Sequence, residues 1–367
     1  MIDLARRNLL QEKLRFVLSI AGIALSLMIV LVLNGILSGV ITQAGAYLDH
    51  APGAVVIAPV GGSSFLLATT PLPVGTEAAV VAEPGVAAVV PILANTVVVR
   101  LHERREASFL IGYDPARGGG PWRLAAGRAP RSDDEAIVDR LLARRHGIAV
   151  GDSIELLGRT FAVSGLSDET SPLMTSFVFV RKTALEALAL APAATSFLLV
   201  TPERNVSPEA LRDQLRDVPG TQALLKRELI ANDVEIFTAA YQPPIRLMAW
   251  IALVVGALVV GLVTYTATSE HRREYGVLKA IGARNLLLYR LVATQALIVA
   301  VAGVVGGVVL GFAASRLIMI ARPEYLISST PTDVAVAAVA GLAMALIATM
   351  IPTRIIAGLA PADIFRR

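Results

Sequence analysis

Four stretches of this chain are long and apolar enough to cross a membrane, and that decides what it can fold into. An α-helix needs about 20 predominantly apolar residues to cover roughly 30 Å of hydrocarbon. Phe16 to Ile41, Leu247 to Thr268, Leu291 to Ala314 and Val334 to Ile351 meet that need. A mean hydropathy of +0.65 fits a multi-span membrane protein better than a soluble globular one. Arg6, Arg7, Lys13 and Arg15 precede the first run, as basic residues precede a signal peptide's core. That run is too long for such a core and no convincing small-x-small cleavage site follows at once, so it is read as a retained anchor.

Lysine and arginine resist translocation, so their positions set the orientation. They flank the first run, fill the connector 269–290 and recur in the tail as Arg354, Arg366 and Arg367. With four spans all three segments lie on one side, expected to be the cytoplasm. Residues 42–244 then fall outside, with 18 Lys and Arg against 22 Asp and Glu, although the whole chain carries +4. The pI of about 9.6 therefore reflects topology and contact with membrane lipid, and no nucleic-acid partner is expected.

Residues 42–244 are long enough for a domain with its own core and read as mixed α/β. "ILANTVVVRL" and "SFLLVTP" have strand composition, and "VGDSIELLGRTFAVSGL" reads as a hairpin turning at Leu157-Gly158-Arg159. "DDEAIVDRLLARRHGI" reads as a helix, with Asp133, Asp134 and Glu135 at its N-terminus and arginines at its end. Arg104 with Arg105 and Arg144 with Arg145 read as solvated. Segments 76–91 and 207–225 form a weak repeat of helix, Pro-Gly and strand, with Ser207 an N-cap and Pro208 at the first helical position. An amphipathic helix follows, and Pro243-Pro244 is expected to kink or break it.

The expected fold is an α-helical membrane protein with four transmembrane helices and a mixed α/β extracytoplasmic domain inserted between the first and second. The layout is a cytoplasmic amphipathic helix (1–15), first span (16–41), extracytoplasmic domain (42–244), second span (245–268) and cytoplasmic connector (269–290). The third span (291–315), a short outer loop (316–333), the fourth span (334–352) and a cytoplasmic tail (353–367) complete it.

No GxxxxGK[ST] phosphate loop, GxSxG elbow or GxGxxG fingerprint is present. The absence of cysteine rules out a thiolate metal site, and His50, His102, His146 and His271 show no ligand spacing, so no catalytic or metal site is expected. Gly303, Gly307 and Gly311 recur every four residues in the third run, a stripe that lets another helix approach closely. The connector "EHRREYGVLKAIGARN" holds more than topology requires. Tyr275, Leu278 and Ile281 form an apolar stripe at helical spacing, flanked by Glu274 and Lys279, and Gly282 stands where a helix would end. That describes a short amphipathic helix able to dock on lipid or on a protein.

"EHRREYGVLKAIGARNLLLYRLVATQALIVAVAGVVGGVVLG" resembles the connector and third span of the MacB/FtsX-like permeases of ABC transporters, the mechanotransmission type. "ARRNLLQEKLRFVLSIAGIALS" is similar to that family's N-terminal helix and first span, and "PTRIIAGLAPADIFRR" to its tail. "EAIVDRLLARRHGIAVGDSIELLGRTFAVSGL" resembles its periplasmic core domain. His271, Tyr275 and Phe365 depart from its commoner residues, and Pro243-Pro244 interrupts what the family often builds as a continuous stalk.

The resemblance implies a permease that pairs with a second copy or a paralogue and binds two copies of an ABC ATPase through a coupling helix. Glu270, Arg272, Arg273 and Glu274 would make polar contacts with the ATPase, and Tyr275, Leu278 and Ile281 would pack on it. Gly276 and Lys279 belong to the same motif, and Gly282 sets the turn. ATP and Mg are expected on the ATPase, a separate polypeptide, with no cofactor on this chain. The work would be export or extraction of a lipid-like, lipoprotein, peptide or drug substrate, with an extracytoplasmic adaptor, lipoprotein or hydrolase as a further partner. The alternatives are a signal transmitter that activates a cell-wall hydrolase without transport, and an ATP-independent membrane-anchored scaffold.

Overall fold

The computed structural model of the chain describes residues 13–67, 70–101, 104–171, 176–270, 285–323 and 325–357. In chain order these form α1 (Lys13–Ala44), α2 (Ala46–His50), β1 (Val55–Pro59), α3 (Thr76–Ala82), β2 (Val86–Leu101), β3 (Arg104–Tyr113), β4 (Leu124–Gly127) and β5 (Glu135–Asp139). Then come α4 (Arg140–His146), β6 (Ser153–Leu156), β7 (Arg159–Ser167), β8 (Ser176–Arg181), α5 (Lys182–Leu188), β9 (Phe197–Pro202), α6 (Pro208–Gln214) and β10 (Thr221–Leu225). The long helices α7 (Lys226–Glu270), α8 (Asn285–Ala321) and α9 (Pro331–Ala357) finish the fold. Two compact units result. A helical unit takes residues up to Ser38, Tyr241–Arg322 and the chain from Leu326, while an α/β unit is built mainly from Gly39–Ala240.

Each of the four apolar runs lies within one long helix, with α1, α7, α8 and α9 long and apolar enough to span a membrane. The most apolar stretch of α1 is 39% buried and that of α7 only 17%, so α1 is the central helix and α7 a peripheral one. Ile23, Leu27, Val30 and Leu31 of α1 form the unit's core with residues of all three other helices. Pro243 and Pro244 do not break α7, whose 45 residues are helical on both sides of them. Each proline removes one donor, but the carbonyls left over, on Ala239 and Ala240, belong to exposed residues and have access to polar surroundings.

In the α/β unit the 16-residue strand β2 joins two lobes. Val86 to Ile92 pair with β9, and Leu93 to Leu101 pair with β3. The first lobe is an antiparallel sheet ordered β10-β1-β9-β2, in which the units β1-α3-β2 and β9-α6-β10 interleave as a split β-α-β sheet. The two repeat segments are equivalent halves of this sheet. In each, Pro-Gly turns helix into strand, and Gly85 (φ +83°) and Gly220 (φ +72°) take the left-handed backbone that glycine tolerates. Ser207 caps α6 by accepting from the Ala210 amide.

The second lobe is inserted between those halves. Its strands β2-β3-β8-β5-β7-β6 pair in a ring that closes when β6 returns to β2, and β4 adds to β7. Closure removes sheet edges and encloses Val97, Val99, Leu110, Val138, Phe161 and Val178. The β6–β7 hairpin turns on Leu157 and Gly158, at φ +49° and +85°, a two-residue loop of the primed kind.

"DDEAIVDRLLARRHGI" is not one helix. Glu135 to Asp139 form strand β5, fully buried at Ala136, Ile137 and Val138 and paired on both sides by β7 and β8, and only Arg140–His146 is helical. A short apolar run satisfies either period, and here the neighbouring strands decide. Asp133, Asp134 and Glu135 do not start the helix; Asp139 caps it by accepting from the Leu141 and Leu142 amides. Asp133 accepts from the Thr183 hydroxyl at 2.6 Å and lies 3.4 Å from Arg181, and Asp134 pairs with Arg159. Arg145 is not simply solvated, since it pairs with Glu106 beside His146.

Glu135 pairs with Arg128 at 2.6 and 2.7 Å and accepts from the Arg131 amide, which holds its carboxyl down at about 2. A depressed folded-state value stabilises the fold above the ordinary carboxylate range and loses that contribution as pH falls toward 2. Glu135→Gln is therefore expected to unfold more readily than wild type near neutral pH. In acid titrations followed by circular dichroism, the difference should close between about pH 4.5 and 2.

Candidate functional site

Of the connector residues proposed to dock an ATPase, Glu270 lies within the described residues. Arg272, Arg273, Glu274, Tyr275, Gly276, Leu278, Lys279, Ile281 and Gly282 lie outside them. Glu270 ends α7, and its carboxylate accepts from Arg15 Nη2 of the first turn of α1 at 2.5 Å. The Glu270 side chain is 60% exposed, so the pair contributes less than about 1 kcal/mol and acts mainly to set position. Arg15 was legible only as a topology residue, because nothing in its local sequence marks a partner 255 residues away. On the far side, Asn285 to Arg290 are already the first turns of α8, so that helix begins before the span boundary expected at 291.

The glycine stripe faces α1 of the same chain. A Cβ at Gly303 would stand 2.6 Å from Ile23 Cβ, one at Gly307 2.7 Å from Leu27 Cβ and 3.1 Å from the Ala24 carbonyl, and one at Gly311 3.0 Å from Leu31 Cδ1. Gly306, beside the stripe, has Ala24 Cβ at an ordinary 3.6 Å. Two glycines without a repeat spacing complete the pattern. Gly256 of α7 is packed against Ser26, and a Cβ at Gly341 of α9 would lie 2.7 Å from Leu27 Cδ1. Each of the three other long helices thus brings a glycine onto α1, where close backbone approach replaces the hydrophobic effect as the source of association in lipid. Gly35 of α1 extends this beyond helix contacts. Its carbonyl accepts from the Ser328 amide at 3.0 Å, and Ile327 Cγ2 occupies the space its side chain would need.

The α/β unit holds a second group of residues that the sequence did not single out. Tyr47 of α2 stacks on Phe65 with centroids 4.7 Å apart and donates its hydroxyl to the Gly119 carbonyl at 2.6 Å. Phe109, Phe177 and Phe197 complete an aromatic core around them. Asp233, on the α7 residues that belong to this unit, is fully buried at its edge. No cluster of His, Asp and Glu fit to hold a metal occurs among the described residues. What holds this group together is packing and hydrogen bonding.

Residues 16–218 match the MacB-like periplasmic core domain, and residues 246–361 match the FtsX-like permease C-terminal region. An ABC transporter permease of Mycobacterium tuberculosis is 27% identical over 84% of this chain and 84% of its own length. The hemin transport system permease protein HrtB of Staphylococcus haemolyticus is 23% identical over 50% of each chain. Among solved structures, the periplasmic region of MacB from Actinobacillus actinomycetemcomitans covers 51% of this chain and 95% of its own, with a TM-score of 0.38 and 11% identity.

Proposed function

The chain belongs to the MacB/FtsX-like permeases of ABC transporters, and from that premise we propose that it couples ATP hydrolysis on a separate ATPase to movement of its α/β domain. It is an ABC transporter permease of the inner membrane, and its family implies an ATPase partner and dimerisation. The observation that carries the finer reading is the placement of "EHRREYGVLKAIGARN". It starts at the last residue of α7, ends at the first turn of α8 and falls inside the FtsX-like match. On this reading Tyr275, Leu278 and Ile281 pack on the ATPase while Arg272, Arg273 and Glu274 ring that contact. The α/β domain lies outside the cytoplasm and handles a lipid-like, lipoprotein, peptide or drug substrate. The hemin-transport relative supports a substrate with apolar surface. ATP and Mg belong to the ATPase, and this chain supplies no catalytic group.

The test is co-purification of the full chain with its ATPase from detergent. Glu274→Arg combined with Leu278→Asp removes one polar and one apolar contact and is expected to weaken association at least about tenfold. The variant's monodisperse elution serves as the check on folding. Undiminished association would overturn the docking assignment.

A further inference from the structure

The α/β unit contains a buried carboxylate held by a turn. Asp233 accepts from the Ser64 hydroxyl and from the Phe65 amide at 3.1 and 3.2 Å, and among the described residues no cation pairs with it. A buried acid without a counter-charge persists only if hydrogen bonds replace its water. Of its neighbours on the same face of α7, Leu229 belongs to the aromatic core and Ile230 and Phe237 pack against it. What Asp233 adds is a hold on the turn.

That turn carries Phe65, which is 1% exposed and lies against Tyr47 at 4.7 Å, Phe197 at 5.1 Å and Phe109 at 5.8 Å. Tyr47 sits on α2, directly after α1. Beside it α2 and α7 meet tightly, since a Cβ at Gly45 would stand 2.7 Å from Ile230 Cγ2. One turn is therefore fastened to α7 by a carboxylate and to α2 by a ring. It also has open space beside it. Gly61, at φ +80°, has nothing within 4 Å of its missing Cβ, and Val60 and Leu67 are 72% and 56% exposed, while Gly62 is packed on Pro59 and donates its amide to the Pro59 carbonyl at 2.8 Å. A cavity of about 260 Å³ lined by Val60, Ser63, Ser64, Leu67 and Ile236 lies alongside. A glycine hinge, a polar fastening and adjacent space mark a segment that opens locally before the rest of the unit.

We propose that Ser63 to Leu67 form a releasable strap fastened by Asp233, so that a shift of α7 which breaks the carboxylate contacts withdraws Phe65 and opens the aromatic core. This rests on the permease reading only for what moves α7.

Hydrogen exchange read by mass spectrometry on the full chain in lipid nanodiscs tests it. Asp233→Asn is expected to speed exchange of the Phe65 and Leu67 amides at least about tenfold, with the ring strand Val97 to Leu101 unchanged. The chain has no cysteine, so Ser64→Cys with Asp233→Cys creates a single possible disulfide. The oxidised strap should exchange at least about tenfold more slowly than the reduced one. Equal acceleration in strap and ring, no acceleration in Asp233→Asn, or an oxidised strap as fast as the reduced one would each overturn the proposal. None of these readings needs the ATPase, so failure here leaves the permease reading standing, and loss of the docking assignment leaves the strap.

Discussion

Leucine at Gly307 is expected to force α8 off α1 and destabilise the helical unit by about 3 kcal/mol, the upper end for overpacking a close contact. The size follows from what stands opposite. The Leu27 Cβ and the Ala24 carbonyl and Cα, at 2.7 to 3.2 Å from where a Cβ would stand, are not the ends of flexible side chains. Two of those three atoms are backbone, so relief requires a helix to shift. Because α7 and α9 also lean glycines on α1, a displaced α8 disturbs contacts on a shared central helix. Gly306→Ala is the control, since its neighbour is at ordinary contact distance and alanine gains up to about 1 kcal/mol of helix propensity. Unfolding by SDS in mixed micelles, followed through Trp250 fluorescence, should show a large shift for the first variant and none or a small gain for the second. Equal shifts would mean that the stripe faces something other than α1.

The four long helices were legible because crossing hydrocarbon is a local demand on length and polarity. Pro84-Gly85 and Pro219-Gly220 were legible for a similar reason, as the left-handed turn needs glycine wherever it occurs. The partner of Gly303, Gly307 and Gly311 was not, since helical periodicity defines a face without naming its neighbour. Closure of the ring was equally hidden, for it depends on Val99 and Arg100 of β2 meeting Leu156 and Glu155 of β6, far apart in sequence. Of the proposed docking site, the apolar stripe and its place between two spans could be read, while its link to α1 through Arg15 could not. Asp233 did leave a signal. It follows Leu229 by four residues and precedes Phe237 by four, which sets an acid in the middle of the apolar stripe of an amphipathic helix.

Asp139→Ala is expected to destabilise the α/β unit by about 4 kcal/mol, because one buried carboxylate ends a strand, starts a helix and holds a loop. Its Oδ1 accepts from the Leu141 amide at 2.8 Å, the Leu142 amide at 3.4 Å and the Ser171 hydroxyl at 2.6 Å. Its Oδ2 accepts from the Thr170 hydroxyl at 2.6 Å and the Thr170 amide at 3.2 Å. Loss of the helix cap alone accounts for about 1 to 2 kcal/mol. The remainder comes from buried donors around Thr170 and Ser171 that water does not reach, although Ser167 and Ser176 retain some partners for them. Asparagine keeps one acceptor oxygen but turns an amide donor toward other donors, so its effect should be intermediate. With Trp250→Phe as background, Trp122 is the remaining tryptophan and reports on this unit during urea unfolding. An alanine variant within about 1 kcal/mol of wild type would show that the network does not hold β5, α4 and the Thr170 loop together. The order wild type, asparagine, alanine is what separates a hydrogen-bonded hub from a residue that only caps a short helix, since a cap alone would leave asparagine close to wild type.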